Sequence, residues 1–251
     1  MTPDLLLAAA GRFGTPLYAY DLDAVRTRLR RLDRLLGRWF GVSYAVKANP
    51  NTALLRAVRP LVSTFDASSW AEVARVLALG QDPARVTFSG PAKRVWEVER
   101  AVAAGLGELV VESLGEAEEA SRAALRLGRR QRVLLRINPI RVPRGFGASM
   151  AGTPSQFGVD EEDMEAALRH LGRLPGLQLI GFHVYSGTNC LDPQAIAENV
   201  AIMADIFRRA QGLSGVAPAR LVFGSGFGIP YLPGEAPLDV EALPAALQVL
   251  R

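Results

Sequence analysis

Short apolar, β-branched runs alternate with amphipathic segments along most of the chain, and that alternation limits the fold more than any other feature. Seven runs stand out, at residues 42–46, 61–65, 85–88, 108–111, 132–137, 177–184 and 220–223. Between them, residues 69–79, 92–104, 114–127, 160–171 and 192–211 carry Ala, Leu, Arg and Glu at helical period. Gly80, Gly105, Gly128 and Gly212 fall where a left-handed residue stops a helix. Strands and helices in strict succession give parallel strands joined by right-handed crossovers.

Two observations favour a barrel over an open, doubly wound sheet. The first four strand-to-strand intervals are nearly even, roughly 20 to 25 residues, the length of one βα unit. Polar side chains also end most of the runs: Lys47, Asp66, Ser89, Glu112, Asn138, His183 and Ser225. In a barrel those ends share one rim, where the loops that carry chemistry open. The expected fold is therefore α/β, a TIM (β/α)8-type barrel with seven of its eight strands in residues 1–251. Residues 239–250 read as the helix before an eighth strand, so the barrel domain is expected to be cut short. Residues 17–20 form one further strand-like run, and residues 141–156 a long loop rich in Gly, Pro and Ser.

Composition removes several functions. The net charge of +4 raises the question of nucleic acid. The densest basic segment, residues 26–38, however, has Val25, Leu29, Leu32 and Leu36 at helical spacing and no stacking aromatics among its arginines. It reads as a solvated helix face, with no nucleic-acid partner. No stretch approaches the ~20 apolar residues of a membrane span. A single cysteine, Cys190, excludes an internal disulfide and fits a cytoplasmic protein, and with two histidines a metal centre is not expected.

Of 29 basic residues only Lys47 and Lys93 are lysines. A guanidinium keeps its proton, whereas a lysine amine can lose it and condense with an aldehyde. Lys47 closes the first apolar run. Gly224-Ser225-Gly226-Phe227-Gly228 follows the seventh, where barrels commonly bind phosphate through converging N–H groups, and Ser186 and Gly187 follow the sixth. His183 lies inside the sixth run and offers a flat imidazole, and Asp66 at the end of the second offers a carboxylate for a protonated imine. Cys190 and His170 receive no role, and Lys93 reads as a rim residue. An amine at the end of the first strand, an anion cradle after the seventh and a planar ring on the sixth describe a ligand with an aldehyde, a phosphate and an aromatic ring: pyridoxal 5′-phosphate (PLP).

The motifs then carry a resemblance. Tyr44-Ala45-Val46-Lys47-Ala48-Asn49 is similar to the cofactor-lysine motif of the fold-type III PLP-dependent decarboxylases, the ornithine/diaminopimelate/arginine decarboxylase family with an alanine-racemase-like barrel. Residues 15–21 resemble that family's opening strand. Phe65-Asp66-Ala67-Ser68, Ser89-Gly90-Pro91-Ala92-Lys93, Val111-Glu112-Ser113 and Arg136-Ile137-Asn138-Pro139 follow in its order. The resemblance implies an amino-acid α-decarboxylase with a Schiff base through Lys47, His183 stacked on the pyridine and Asp66 near the imine. It implies that Glu72 and Arg136 support the cofactor and that Ser186, Gly224, Ser225 and Gly226 hold its phosphate, with Ser225 in place of a commoner glycine.

The resemblance further implies a strand-eight glutamate and arginine, a following β-domain and a homodimer whose partner completes the site. None of those positions lies in residues 1–251, so this piece alone is expected to be weakly active or inactive. The substrate is a small amino acid of the diaminopimelate or ornithine type, or one linked to a carrier protein, as the loop at residues 147–158 and Tyr185-Ser186-Gly187-Thr188-Asn189 suggest by similarity. An amino-acid racemase on the same barrel and a non-catalytic PLP carrier are the alternatives.

Overall fold

Seven parallel strands curl into an open barrel wall in a computed structural model that describes residues 1–149, 151–152 and 155–250. The wall runs β1 (Ser43–Ala45), β2 (Thr64–Ala67), β3 (Val86–Phe88), β4 (Glu108–Val111), β5 (Gln131–Asn138), β8 (Leu177–Val184) and β10 (Arg220–Phe223). Three two-residue strands complete the set. β6 (Ala148–Ser149) pairs antiparallel with β9 (Gly187–Thr188), and β7 (Val159–Asp160) pairs with the end of β5. The helices are α1 (Pro3–Phe13), α2 (Leu22–Leu36), α3 (Thr52–Val58), α4 (Trp70–Leu77), α5 (Val95–Ala104), α6 (Leu114–Arg126), α7 (Met164–Leu171), α8 (Pro193–Ser214) and α9 (Leu243–Ala246). Strand order follows chain order, which a barrel requires and a doubly wound sheet does not.

The side chains explain both the layers and the curl. One face of the wall packs its apolar residues against the helices in a single large core that includes Phe65, Phe88, Val111, Leu135, Phe182 and Ile206. Each such side chain contributes about 1.5–3 kcal/mol on burial. The concave face is different. A small apolar layer of Val110, Leu134 and Ile180, with Val222 against it, separates two polar ones. At the foot, Glu108 accepts from the Thr87 hydroxyl at 2.8 Å and pairs with Arg220 at 3.1 Å, joining the starts of β4 and β10. At the other end lie the rim residues. Ile180 is skipped in the pairing of β5 with β8, where Val133 faces Leu179 and Leu134 faces Gly181. This bulge brings His183 into register with Arg136.

Several helix starts are set by acids and hydroxyls. Asp21 caps α2 through the N–H groups of Asp23 and Ala24. Ser69 and Ser113 each accept the N–H of a glutamate three residues on, Glu72 and Glu116. Those glutamates reach back to the N–H of Ser68 and Glu112, so one device locks two strand-to-helix turns at the rim.

Several boundaries differ from expectation. The first run leaves the sheet at Ala45, and Val46–Ala48 form a 3-10 turn that carries Lys47 off the strand. Residues 17–20 form no strand, and Tyr18 is almost wholly exposed at 91%. Gly212 does not end α8. The helix runs on to Ser214 and stops at Gly215, whose φ of +68° is the left-handed geometry expected of Gly212. Residues 239–250 make only α9 and a 3-10 turn. The long loop after β5 is tied down by β6–β9 pairing, while Met150, Thr153 and Pro154 of its motif lie outside the described residues.

Candidate active site

Lys47 sits on the first strand-to-helix turn as an exposed residue whose Nζ lies 6.0 Å from the centroid of the Tyr185 ring. Tyr185 follows β8, on the opposite flank of the bowl, so the amine points across the mouth. The same tyrosine packs against the seventh strand-end loop: a Cβ on Gly224 would come within 2.4 Å of its ring. The amine and the glycine cluster therefore flank one side chain.

The glycines are there because two loops press together. A Cβ on Gly226 would meet the Gly187 carbonyl at 2.4 Å and the Phe146 ring at 2.6 Å, and its φ of +62° is left-handed. Cys190 N–H donates to the Gly226 carbonyl and Gly228 N–H to the Cys190 carbonyl. This zips the loops after β8 and β10 side by side. Gly224 spends its N–H on the Val184 carbonyl at 2.8 Å, so it supplies room and not a donor for an anion. Among the described residues, no protein acceptor takes the N–H groups of Ser225, Gly226 or Phe227. Beside them the Ser186 hydroxyl is fully buried and without a partner.

His183 and Arg136 are neighbours in register on β8 and β5, 8% and 6% exposed. Burial, with the cations Arg136, Lys47 and Lys93 around it, holds the imidazole well below its ordinary pKa, so it is neutral, and its Nδ1 has no partner. Asp66 is in register with Ala45 and Thr87. Burial raises its carboxyl to about 6, against the Ser89 hydroxyl and the charges of Lys47 and Arg136, which favour the anion. One of its oxygens is sealed and unpartnered. Arg136 in turn donates to Glu112 at 2.9 Å and lies 4.7 Å from the Phe157 ring centroid.

Glu72, by contrast, is engaged at the β2–α4 turn, where it accepts the Ser68 N–H at 2.8 Å. Lys93 lies on the rim, in the turn after β3, but its side chain does not reach water: it is 1% exposed and paired with Glu116 at 2.6 Å. Two pockets, of about 400 and 350 Å³, are lined by none of Lys47, Asp66, His183 and Ser186; one lies beside Arg141, Arg144 and Glu198, the other beside Trp39, Phe40 and Phe207.

Three buried polar atoms without partners, on Asp66, His183 and Ser186, therefore gather around one amine and one set of N–H donors. Each costs about 1–3 kcal/mol if nothing binds it, so the arrangement calls for a polar ligand. A family model described as pyridoxal-dependent decarboxylase, pyridoxal binding domain, matches residues 22–250. The chain belongs to this family.

Several decarboxylases match over nearly the whole chain. The L-glutamyl-[BtrI acyl-carrier protein] decarboxylase of Niallia circulans is 32% identical over 238 residues, covering 94% of this chain and 55% of that protein. The diaminopimelate decarboxylase of Neisseria meningitidis is 33% identical over 246 residues, with 96% and 59% covered. In structure, diaminopimelate decarboxylase from Helicobacter pylori complexed with L-lysine superposes with a TM-score of 0.85 at 25% identity, covering 98% of this chain and 62% of that one. The chain thus spans a little over half the length of the relatives it matches. Among the described residues, no helix is long and apolar enough to cross a membrane.

Proposed function

We propose that residues 1–251 form the cofactor-anchoring barrel of a PLP-dependent amino-acid α-decarboxylase, with Lys47 as the covalent anchor. One observation carries this reading. The Lys47 amine faces the Tyr185 ring, and behind that ring the Ser186 hydroxyl and the N–H groups of residues 225–227 have no protein partner. These groups fit an aldehyde at one end of a ligand and a phosphate at the other.

The residues divide the work. Ser186 and the N–H groups of Ser225, Gly226 and Phe227 bind the phosphate, and the close approach of Gly224 to Tyr185 leaves that loop its shape. His183 stays neutral, so its ring covers the pyridine by stacking and not by charge. Asp66 holds a proton at the Lys47 nitrogen as its anion and releases that hold when protonated. Arg136, fixed by Glu112, keeps Asp66 and His183 in register, and Glu72 secures the turn that presents Asp66. PLP supplies the electron sink for loss of an α-carboxyl group. Substrates of the diaminopimelate or ornithine type, and an amino acid linked to a carrier protein, agree with the names of the relatives. A homodimer and a cytoplasmic location agree with the same family.

The test is release of labelled CO₂ from carboxyl-labelled amino acids in heavy water. Slow, PLP-dependent release that Lys47→Ala abolishes is the expected result. Solvent deuterium entering the α-position with no CO₂ released supports a racemase instead, and tight PLP binding with neither reaction supports a carrier.

A further inference from the structure

The second lysine has no place in the chemistry above, yet it is the more deeply buried of the two. Lys93 Nζ lies 2.6 Å from Glu116 Oε1, with the two side chains 1% and 8% exposed. It donates to the Gly90 carbonyl at 2.5 Å and sits 5.7 Å from the Phe88 ring centroid. The N–H of the same Gly90 donates to Glu112 Oε1 at 2.6 Å. Both polar groups of one residue are thus held by charged side chains, and Gly90 takes a φ of +102° that an ordinary residue avoids.

What those clamps fix is the turn that follows β3. Ser89 precedes Gly90 and donates its N–H to the Ala67 carbonyl at 2.8 Å, which holds it beside Asp66, whose anion it favours. Glu112 holds Gly90 with one oxygen and Arg136 with the other. The path runs from Lys93 through Gly90 and Ser89 to Asp66, and from Glu112 to Arg136. A buried ion pair is a poor source of net stability, because desolvation offsets its attraction. Geometry is the better reason for this one.

We propose that Lys93 is a positioning residue for the Lys47 site: by pinning the Ser89–Gly90 turn it holds Ser89 beside Asp66 and the Glu112 carboxylate on Arg136. This inference rests on the reading that Lys47 anchors PLP. Lys93 acts on Asp66 through the turn and not by its charge, which is paired with Glu116 and bears on His183. The groups around it are Glu116 from α6, Glu112 from the end of β4, Arg136 from β5 and, at longer range, His183 from β8.

The test compares wild type, Lys93→Met, the double variant K93M/E116L, and Ser89→Ala, each loaded with PLP. The double variant removes both charges and keeps the net charge, so it avoids the stranded carboxylate of the single variant; it also frees the Glu112 N–H, so Lys93→Met alone, which keeps that bond, must move the midpoint the same way. The readout is the pH midpoint of the visible absorbance at Lys47. Without the Ser89 contact Asp66 takes its proton at higher pH, so the proton at the Lys47 nitrogen is lost at lower pH. The midpoint falls by roughly one unit in K93M/E116L and in S89A. Combining S89A with K93M/E116L adds no further shift, because both act on one contact. A wild-type midpoint in PLP-loaded K93M/E116L, or shifts that add in the combination, would overturn the inference while leaving the Lys47 assignment intact. A wild-type chain that gives no visible band at Lys47 sinks the assignment and the inference together.

Discussion

Glu112 and Arg136 meet at 2.9 Å with side chains 1% and 8% exposed, the most enclosed carboxylate–guanidinium pair among the described residues. Glu112 has a second duty, accepting the Gly90 N–H. Removing one partner of such a pair strands the other charge. Glu112→Gln is therefore expected to lower stability by about 3 kcal/mol, read as a lower urea midpoint with an unchanged slope. A loss below about 0.5 kcal/mol would place the pair in the class of surface ion pairs.

Asp66 makes one contribution to the pH dependence of the cofactor-free chain. Its carboxyl is raised from 3.8 to about 6 in the folded protein, mainly by burial. Between those values the folded state binds more protons than the unfolded one, so this group's contribution to stability falls as pH rises through the window. Asp66→Asn removes that penalty. Above pH 6 the variant is expected to be more stable than wild type, by on the order of 1–3 kcal/mol, and the difference vanishes below about pH 4. Equal melting temperatures at pH 8 would show that Asp66 is not buried as described.

His183 has the opposite sign. Its imidazole is held well below the ordinary value, so acid costs stability once the unfolded chain begins to protonate below 6.5. The chain has two histidines, so proton NMR of the imidazoles, with His170→Gln for assignment, isolates one resonance. His183 should titrate well below the normal range. Titration near 6.5 would mean that the ring is wet or paired with a carboxylate.

Two glycines, one in a helix and one in a strand, should respond in opposite directions. Gly212 lies inside α8 with nothing within 4 Å of where a Cβ would stand, so Gly212→Ala should stabilise by roughly 0.5–1 kcal/mol. At Gly181 a Cβ would fall 1.7 Å from the Arg220 carbonyl oxygen. Gly181→Ala should push β10 off β8 and expose the glycine loop to limited proteolysis. Equal melting of the two variants would contradict the β8–β10 register.

The strands were legible because each is a short β-branched run between helical periods, and the parallel order followed from their alternation with helices. The first strand's end was not. Val46 is apolar and fully buried, so it reads as strand, yet it packs into the core from a 3-10 turn. Gly212 misleads for a related reason: a glycine marks a stop only where the backbone turns left-handed, and α8 is carried past it by Ile202, Ile206, Phe207 and Ala210 in the core. Of the site, the strand-end residues Lys47, Asp66 and His183 could be picked out one by one. The partners Ser89, Glu112 and Glu116 could not be assigned, because which acid meets which cation depends on the register between strands. The burial of Lys93 is hidden on the same ground. A lysine after a Gly-Pro turn ordinarily snorkels to water, and only the fold shows Glu116 waiting for it.

The account rests on which amine takes the cofactor. PLP added to this chain should give a visible absorbance band, and borohydride reduction followed by peptide mapping should leave the pyridoxyl group on Lys47. Label on Lys93, or label distributed without preference, would contradict it.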